Sequence, residues 1–370
     1  MTDNLQLNLQ LRAAPSRVAS PSGMAQLPRV DPITQLPVLV LFPHNRCNCR
    51  CLMCDIWRIK DKAELGLEAI AHWLQEWRTL GVRHIMLSGG EPLMYSRTWE
   101  LCALLRKSGI RVTIHSTGVL LEREAKHLIS HCDDVILSLD GPQPVHDTIR
   151  NIRRAYGRLR DGVSAVRTLA PGFPIAARCT IQRQNFRHMR ETVASARELG
   201  LDRISFLAAD VSSDAFNRLQ AWEADKIESV ALSAGDLPHL AEELQKLEAE
   251  CADEFACGFI AEPPAKLWAK LYQYYQALHG GALFPEVRCN APWVSAVVET
   301  DGTVRPCFFQ PPFGNLHETT SLAAILNADA SLKWRQHLDV SRDPICMKCV
   351  CSFQFNELPD KVSTKGESTV

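Results

Sequence analysis

The chain has 370 residues, 46% of them hydrophobic and 22% charged, with a formal net charge of −1. The length allows two to three domains at roughly 150 residues each, and the composition is that of a chain able to bury a core rather than a disordered one. The balanced charge excludes the broad basic footprint of a dedicated nucleic-acid binder, so no nucleic-acid partner is expected. The longest clean apolar run, Val38 to Phe42, is far short of the ~20 residues of a membrane helix. The stretch from Met1 to Arg29 lacks the apolar centre of a secretory signal. A cytoplasmic protein with no membrane partner is expected.

Residues 1–35, with Pro15, Pro21, Pro28 and Pro32, read as a flexible lead-in. An alternation then begins. Apolar or β-branched runs at Val38–Phe42, His84–Ser88, Arg111–Ser116, Asp134–Leu139, Ile175–Ile181 and Arg203–Leu207 predict strands, and segments with helical spacing lie between them. Three of those segments stop at Gly81, Gly109 and Gly200, as helices with left-handed ends do. Six βα units in succession predict a parallel α/β partial barrel over residues 36–225. A helical connection over 226–282 follows, strongest at Leu240–Cys251 and Ala265–Leu278. Its Trp268, Tyr272, Tyr274 and Tyr275 are expected in the core. From 283 to 355 the pattern becomes a Cys-rich hairpin, Trp293–Glu299 and Thr303–Phe309 about a turn at Gly302, then a helix from Leu322 to about Leu338. Residues 356–370 read as a loose tail.

Fourteen cysteines are the unusual feature. Without a signal sequence they point to metal or redox chemistry rather than disulfides. Cys47, Cys49, Cys51 and Cys54 lie directly after the first predicted strand, at the edge where parallel barrels build active sites. Cys47, Cys51 and Cys54 form a C-x3-C-x2-C array able to give three thiolates to an iron–sulfur cube and leave one iron open. Cys49 is expected to point away, and a zinc knot is the alternative. Near the C-terminus, Cys289, Cys307 and the Cys346/Cys349 pair make a four-thiolate cage for zinc or iron–sulfur, with Cys351 a substitute for Cys349.

The first array resembles that of the radical S-adenosylmethionine (radical SAM) superfamily, and Ser88-Gly89-Gly90-Glu91-Pro92 resembles that family's GGE-P motif. His115-Ser116-Thr117-Gly118, Ser138-Leu139-Asp140-Gly141 and His146-Asp147-x-x-Arg150 are similar to further family segments, and the resemblance covers residues 38–210. It implies a (β/α)6 partial TIM barrel whose Cys47, Cys51 and Cys54 hold a SAM-binding [4Fe–4S] cluster. Gly89, Gly90, Glu91, Pro92, Met53, Ser116, Ser138, Asp140, Arg150 and Arg178 are then the expected SAM contacts. Met53 stands where many members carry an aromatic residue. The second array is similar to SPASM and twitch modules. With no cysteine after Cys351, the twitch type with one auxiliary [4Fe–4S] cluster on Cys289, Cys307, Cys346 and Cys349 fits better.

The resemblance implies reductive cleavage of SAM to a 5′-deoxyadenosyl radical and oxidative modification, by C–H abstraction, of a peptide or a small natural-product or cofactor precursor. An external reductant such as flavodoxin or ferredoxin is the implied partner. Asp210 and Arg218, after the sixth strand, are the expected substrate contacts. Methyl transfer through a cobalamin cofactor is not expected. The competing reading is a non-catalytic zinc-binding interaction protein with two cysteine knots.

Overall fold

The computed structural model describes residues 31–215, 218 and 222–355. Most of the lead-in and the whole tail expected from the sequence lie outside the described residues. Six strands follow the sequence runs closely: β1 (Val38–Leu41), β2 (His84–Leu87), β3 (Arg111–Ser116), β4 (Asp134–Ser138), β5 (Ile175–Ile181) and β6 (Arg203–Ala208). All are parallel and pair in sequence order, 6-5-4-3-2-1. The outer layer is α1 (Leu67–Thr79), α2 (Thr98–Lys107), α3 (Leu121–His131), α4 (Gln143–Arg150), α5 (Ala155–Leu169) and α6 (Met189–Glu198). Gly81, Gly109 and Gly200 hold φ of 73°, 77° and 74° just beyond α1, α2 and α6.

Alternation along the strands sorts the two faces. Leu39, Ile85, Ile114, Val135, Leu137, Cys179 and Phe206 are fully buried in one core that also holds Trp73 and Trp77 of α1. Val40, Met86, His115, Ile136, Ser138, Arg178, Thr180 and Leu207 instead turn to the lumen and line a cavity there. Because the strands are parallel, every β-to-α loop emerges at the same rim. That brings the cysteine loop, the Ser88–Pro92 turn and the loops after β3 to β6 together.

The C-terminal hairpin, β7 (Ser295–Val298) and β8 (Thr303–Arg305), is antiparallel as expected, with Gly302 at φ 83°. β7 also pairs in parallel with β1, Val38 opposite Ser295 through Leu41 opposite Val298. With β9 (Gly314–Asn315) the described residues form one nine-stranded sheet. The sheet therefore runs on from the barrel strands into the Cys-rich segment expected over 283–355. The single helix expected from Leu322 to Leu338 is two, Leu322–Leu326 and Asp329–His337. Asn327 interrupts it, its side chain bonding both the N–H and the carbonyl of Ile33 at 2.7 and 2.9 Å.

α7 (Ala224–Val230) and α8 (Leu237–Glu250) lead into a helix with a π segment at Trp268–Gln273. Tyr274 and Tyr275 are buried as expected. The Tyr275 hydroxyl donates to the Ile181 carbonyl at 2.6 Å and accepts from the Ala209 N–H at 3.2 Å, tying β5 to the end of β6. Among the described residues, no helix is long and apolar enough to cross a membrane.

Candidate active site

The loop after β1 is held from three sides. Arg50 and Leu52 donate backbone N–H groups to the carbonyls of Arg150 and Ile149, at 3.0 and 3.1 Å. From α7, Lys226 donates to the Leu52 carbonyl at 2.6 Å, and Trp222 donates to the Asp55 carboxylate at 2.7 Å. The Glu91 N–H donates to the Arg46 carbonyl at 2.8 Å. This last contact explains Gly90: a Cβ there would fall 1.9 Å from the Arg46 carbonyl oxygen, and Gly89 sits at φ 98°. The two glycines let the turn after β2 press against the cysteine loop.

Cys47, Cys49, Cys51, Met53 and Cys54 line one side of a lumen cavity of about 330 Å³. Ser88, Gly89, Gly90, Ser116, Ser138, Arg150 and Arg178 complete it, and Phe308, Phe309, Val350 and Cys351 of the C-terminal region close it. Burial pushes the Cys47 thiol up to about 12 and Cys54 upward as well. Cys51 goes the other way, to about 6, because Cys49 donates its S–H to it and the Arg150 guanidinium adds positive charge, against the cost of burial. Cys49, expected to point away, lines the same cavity as these three thiols. The Nη1 of Arg150 donates to Cys51 Sγ at 3.4 Å.

Glu91, Pro92 and Asp140 do not line the cavity, against the expectation of direct contact. Glu91 is fully buried, and its carboxylate accepts from the Leu93 N–H, the Ser116 hydroxyl, and the N–H and hydroxyl of Thr117. It locks the β2 turn to the end of β3. Pro92 opens the short helical turn that follows. Asp140 accepts from the Thr180 N–H at 3.0 Å and pairs with Arg150. Asp210 and Arg218 are buried against each other at 2.7 Å, so each engages its own loop before any substrate. His115 is the lumen residue that motif reading passed over. Its Nε2 and the Arg178 Nε are buried at the cavity wall with no hydrogen-bond partner among the described residues.

A second cavity of about 750 Å³ adjoins the first, and Phe42, Ile56, Gly89, Gly90, Phe308 and Phe309 line both. Its remaining wall mixes apolar groups with Asp61, Asp214, Glu299, Asp301 and Arg305. Beside it, Cys289, Cys307, Cys346, Cys349 and Cys351 gather. Cys307 lies within electrostatic reach of Cys289 and Cys351, and Cys349 of all three. Burial raises Cys307 to about 11 and Cys346 to about 12. Gln310 donates to Cys346 Sγ at 3.2 Å, and Asp343 caps the turn that presents Cys346.

Both thiol groups fit iron–sulfur clusters in donor chemistry, and a cation already faces the first. Thiolates on different irons of a cube stand farther apart than those of one tetrahedral ion. Among the described residues, no three His, Cys, Asp or Glu side chains converge on a single-ion site.

Residues 41–208 match the family model of the Radical SAM superfamily, and residues 289–350 match that of SPASM, an iron–sulfur cluster-binding domain. The chain is 29% identical to Fe-coproporphyrin III synthase of Methanosarcina barkeri, over 46% of this chain and 43% of that one. It is 30% identical to PqqA peptide cyclase of Streptomyces rochei, over 47% and 49%. The matches thus span about half the length of these curated relatives. Streptococcus suis SuiB, solved bound to precursor peptide SuiA, shares the fold with a TM-score of 0.59 at 15% identity, over 87% of this chain and 72% of that one.

The chain belongs to the radical SAM superfamily and carries a C-terminal SPASM-type module. Radical SAM domains bind a [4Fe–4S] cluster and SAM, and SPASM domains bind auxiliary iron–sulfur clusters.

Proposed function

We propose that this chain is an enzyme that cleaves SAM reductively and modifies a precursor oxidatively by C–H abstraction, and that the precursor is a peptide. The carrying observation is the shared wall between the two cavities, which sets a cofactor-sized lumen against a larger chamber with both cysteine groups alongside. When bound, the first cluster and SAM supply a 5′-deoxyadenosyl radical, and one auxiliary cluster supplies an electron acceptor or a substrate anchor.

Cys47, Cys51 and Cys54 hold the first cluster. The Gly89–Gly90 turn, Met53, Ser116, Ser138, Arg178 and His115 receive SAM, with Arg178 and His115 giving their unpartnered nitrogens to its polar groups. Glu91, Pro92 and Asp140 shape the turns, and Arg150 offsets thiolate charge. Cys289, Cys307, Cys346 and Cys349 hold the auxiliary cluster. Phe308 and Phe309 keep water from the seam between the cavities.

Two observations support a peptide. PqqA peptide cyclase is a relative by sequence, and SuiB, solved with its precursor peptide, shares the fold. The chamber wall also carries four carboxylates, Asp61, Asp214, Glu299 and Asp301, against two arginines, Arg218 paired with Asp210 and Arg305 paired with Glu299 among the described residues. That wall disfavours a carboxylate-rich tetrapyrrole.

The test is anaerobic reconstitution followed by dithionite reduction. About eight irons per chain and release of 5′-deoxyadenosine are expected, two four-iron clusters requiring that number. The Cys47/Cys51/Cys54→Ala variant should lose about half the iron and all of the cleavage. Unchanged iron in that variant would overturn the reading.

A further inference from the structure

Residues 351–355 carry no regular secondary structure, yet every second residue turns its backbone toward the C-terminal module. The N–H of Cys351 donates to Cys349 Sγ at 3.4 Å, that of Phe353 to Cys289 Sγ at 3.5 Å, and that of Phe355 to Asn290 Oδ1 at 2.8 Å. The carbonyls of Phe353 and Phe355 accept from the Asn290 N–H and Nδ2, both at 2.9 Å. This is the period-two pattern of a strand whose neighbour has been replaced by one asparagine and two thiols. The Asn290 amide serves both the N–H and the carbonyl of Phe355, as a facing residue in a sheet does.

The clamp and the strap that it holds belong to different parts of the fold. Asn290 opens the turn Ala291–Val294 that runs into β7, and β7 pairs with β1, so the clamp is mounted on the barrel sheet. Cys351, the first residue of the strap, and Val350 before it line the lumen cavity together with the first cysteine array. Val350 is 5% exposed and belongs to the main core. No residue from Cys351 to Phe355 is buried, so beyond Val350 the strap is held by its hydrogen bonds.

We infer that Asn290 is a positioning residue for SAM: it latches the strap that shuts the lumen cavity and so slows release of the cofactor. The inference rests on the reading above, in which SAM fills that cavity. Enclosure of SAM by the strap and stabilisation of the strap by SAM are one equilibrium, so each favours the other by the same factor. Loss of the Asn290 amide leaves the N–H and carbonyl of Phe355 without their partners. Two such bonds together are worth about tenfold or more in the closed population. The other two N–H groups of the strap meet Cys289 and Cys349, so a filled auxiliary site and Asn290 hold it jointly.

The experiment uses the reconstituted full chain as wild type, Asn290→Ala and Asn290→Asp. Hydrogen exchange over residues 350–355 is read by mass spectrometry with and without SAM, SAM release by rapid filtration, and iron by analysis. In the wild type, SAM should slow exchange of the strap at least ~10-fold. Asn290→Ala should speed both exchange and SAM release by at least ~10-fold, with iron unchanged at about eight per chain. Asn290→Asp keeps an acceptor for the Phe355 N–H and loses the donor to its carbonyl, so it should fall between. Exchange indifferent to SAM in the wild type would overturn the latch, whatever the variants do. So would a loosened strap with unchanged SAM release, or loss of about half the iron in Asn290→Ala, since Asn290 would then hold the auxiliary cluster instead. A wild type that retains no SAM, with Asn290→Ala still loosening the strap, would overturn the reading of the lumen and the positioning role with it.

Discussion

Arg150 bridges a carboxylate and a thiol inside the barrel: one end of its guanidinium pairs with Asp140, and the other donates to Cys51 Sγ at 3.4 Å. Both charged side chains are nearly or fully buried, with exposures of 8% for Arg150 and 0% for Asp140. Breaking a buried pair by removing one partner leaves an uncompensated charge, worth about 3–5 kcal/mol. Arg150→Met should therefore lower stability by about that amount and reduce iron loading of the first cluster. The double variant Asp140→Leu/Arg150→Met should recover most of the stability but not the iron, because the donor to Cys51 is still missing. Chemical denaturation and iron analysis on the two variants separate the roles.

Gly90 makes a sharper case, because the obstacle is backbone. A methyl at this position would meet the Arg46 carbonyl oxygen at 1.9 Å, and no side-chain rotation relieves that. Gly90→Ala should push the β2 turn off the cysteine loop, with a loss of about 1–3 kcal/mol or more. SAM affinity should fall at least ~10-fold, one factor of ten per 1.4 kcal/mol. Equilibrium dialysis with SAM on the reconstituted protein reads it. Gly109→Ala is the control, since nothing lies within 4 Å of a Cβ there although φ is 77°.

The sequence carried the six parallel strands because each is a short apolar run, three of them preceded by a glycine-ended helix, and such runs are local signals. It also carried the cysteine positions, because ligand spacing is local too. It could not carry the pairing of β7 with β1, since Ser295 and Val38 are brought together only by the folded barrel. Nor could it say which way a carboxylate in a motif turns. Glu91 and Asp140 point inward because their donors sit elsewhere in the sheet, Ser116 and Thr117 at the end of β3 and Thr180 on β5. His115 was within reach of the period-two alternation, since it follows the buried Ile114 and must face the lumen. The neighbouring Ser116 donates its hydroxyl to Glu91.

Acid should weaken this fold through its buried histidines. His44 accepts the Arg46 N–H at Nδ1 and donates from Nε2 to the Glu91 carbonyl, so both ring nitrogens are used by the neutral form. Burial lowers its pKa to about 4, and burial beside Arg178 lowers that of His115 to about 3. A depressed histidine pKa means that the unfolded chain binds more protons once pH drops below about 6.5. The contribution is complete above that value and is lost as pH falls toward 4. Urea midpoints of wild type and His44→Gln from pH 7 to pH 4 should converge on the acid side, the glutamine variant starting lower and falling less. Parallel curves would remove His44 from the account.

Gln310 offers a handle on the second cysteine group alone. It is 1% exposed, and its amide nitrogen donates both to the Asp343 carboxylate at 2.9 Å and to Cys346 Sγ at 3.2 Å. Asp343 in turn caps the turn bearing Cys346, accepting the N–H groups of Ile345 and Cys346 at 3.0 and 2.8 Å. Outer partners that fix a metal ligand typically matter by 10–100-fold in affinity. Gln310→Leu keeps the volume and removes the donor, so the thiolate loses a hydrogen bond and the carboxylate loses its anchor. In the Cys47/Cys51/Cys54→Ala background, where the remaining iron belongs to the auxiliary site, chelator-driven iron loss should be at least ~10-fold faster for Gln310→Leu. In the otherwise wild-type chain, about half the iron should leave at the unaltered rate, since Gln310 does not line the lumen cavity that holds the first array.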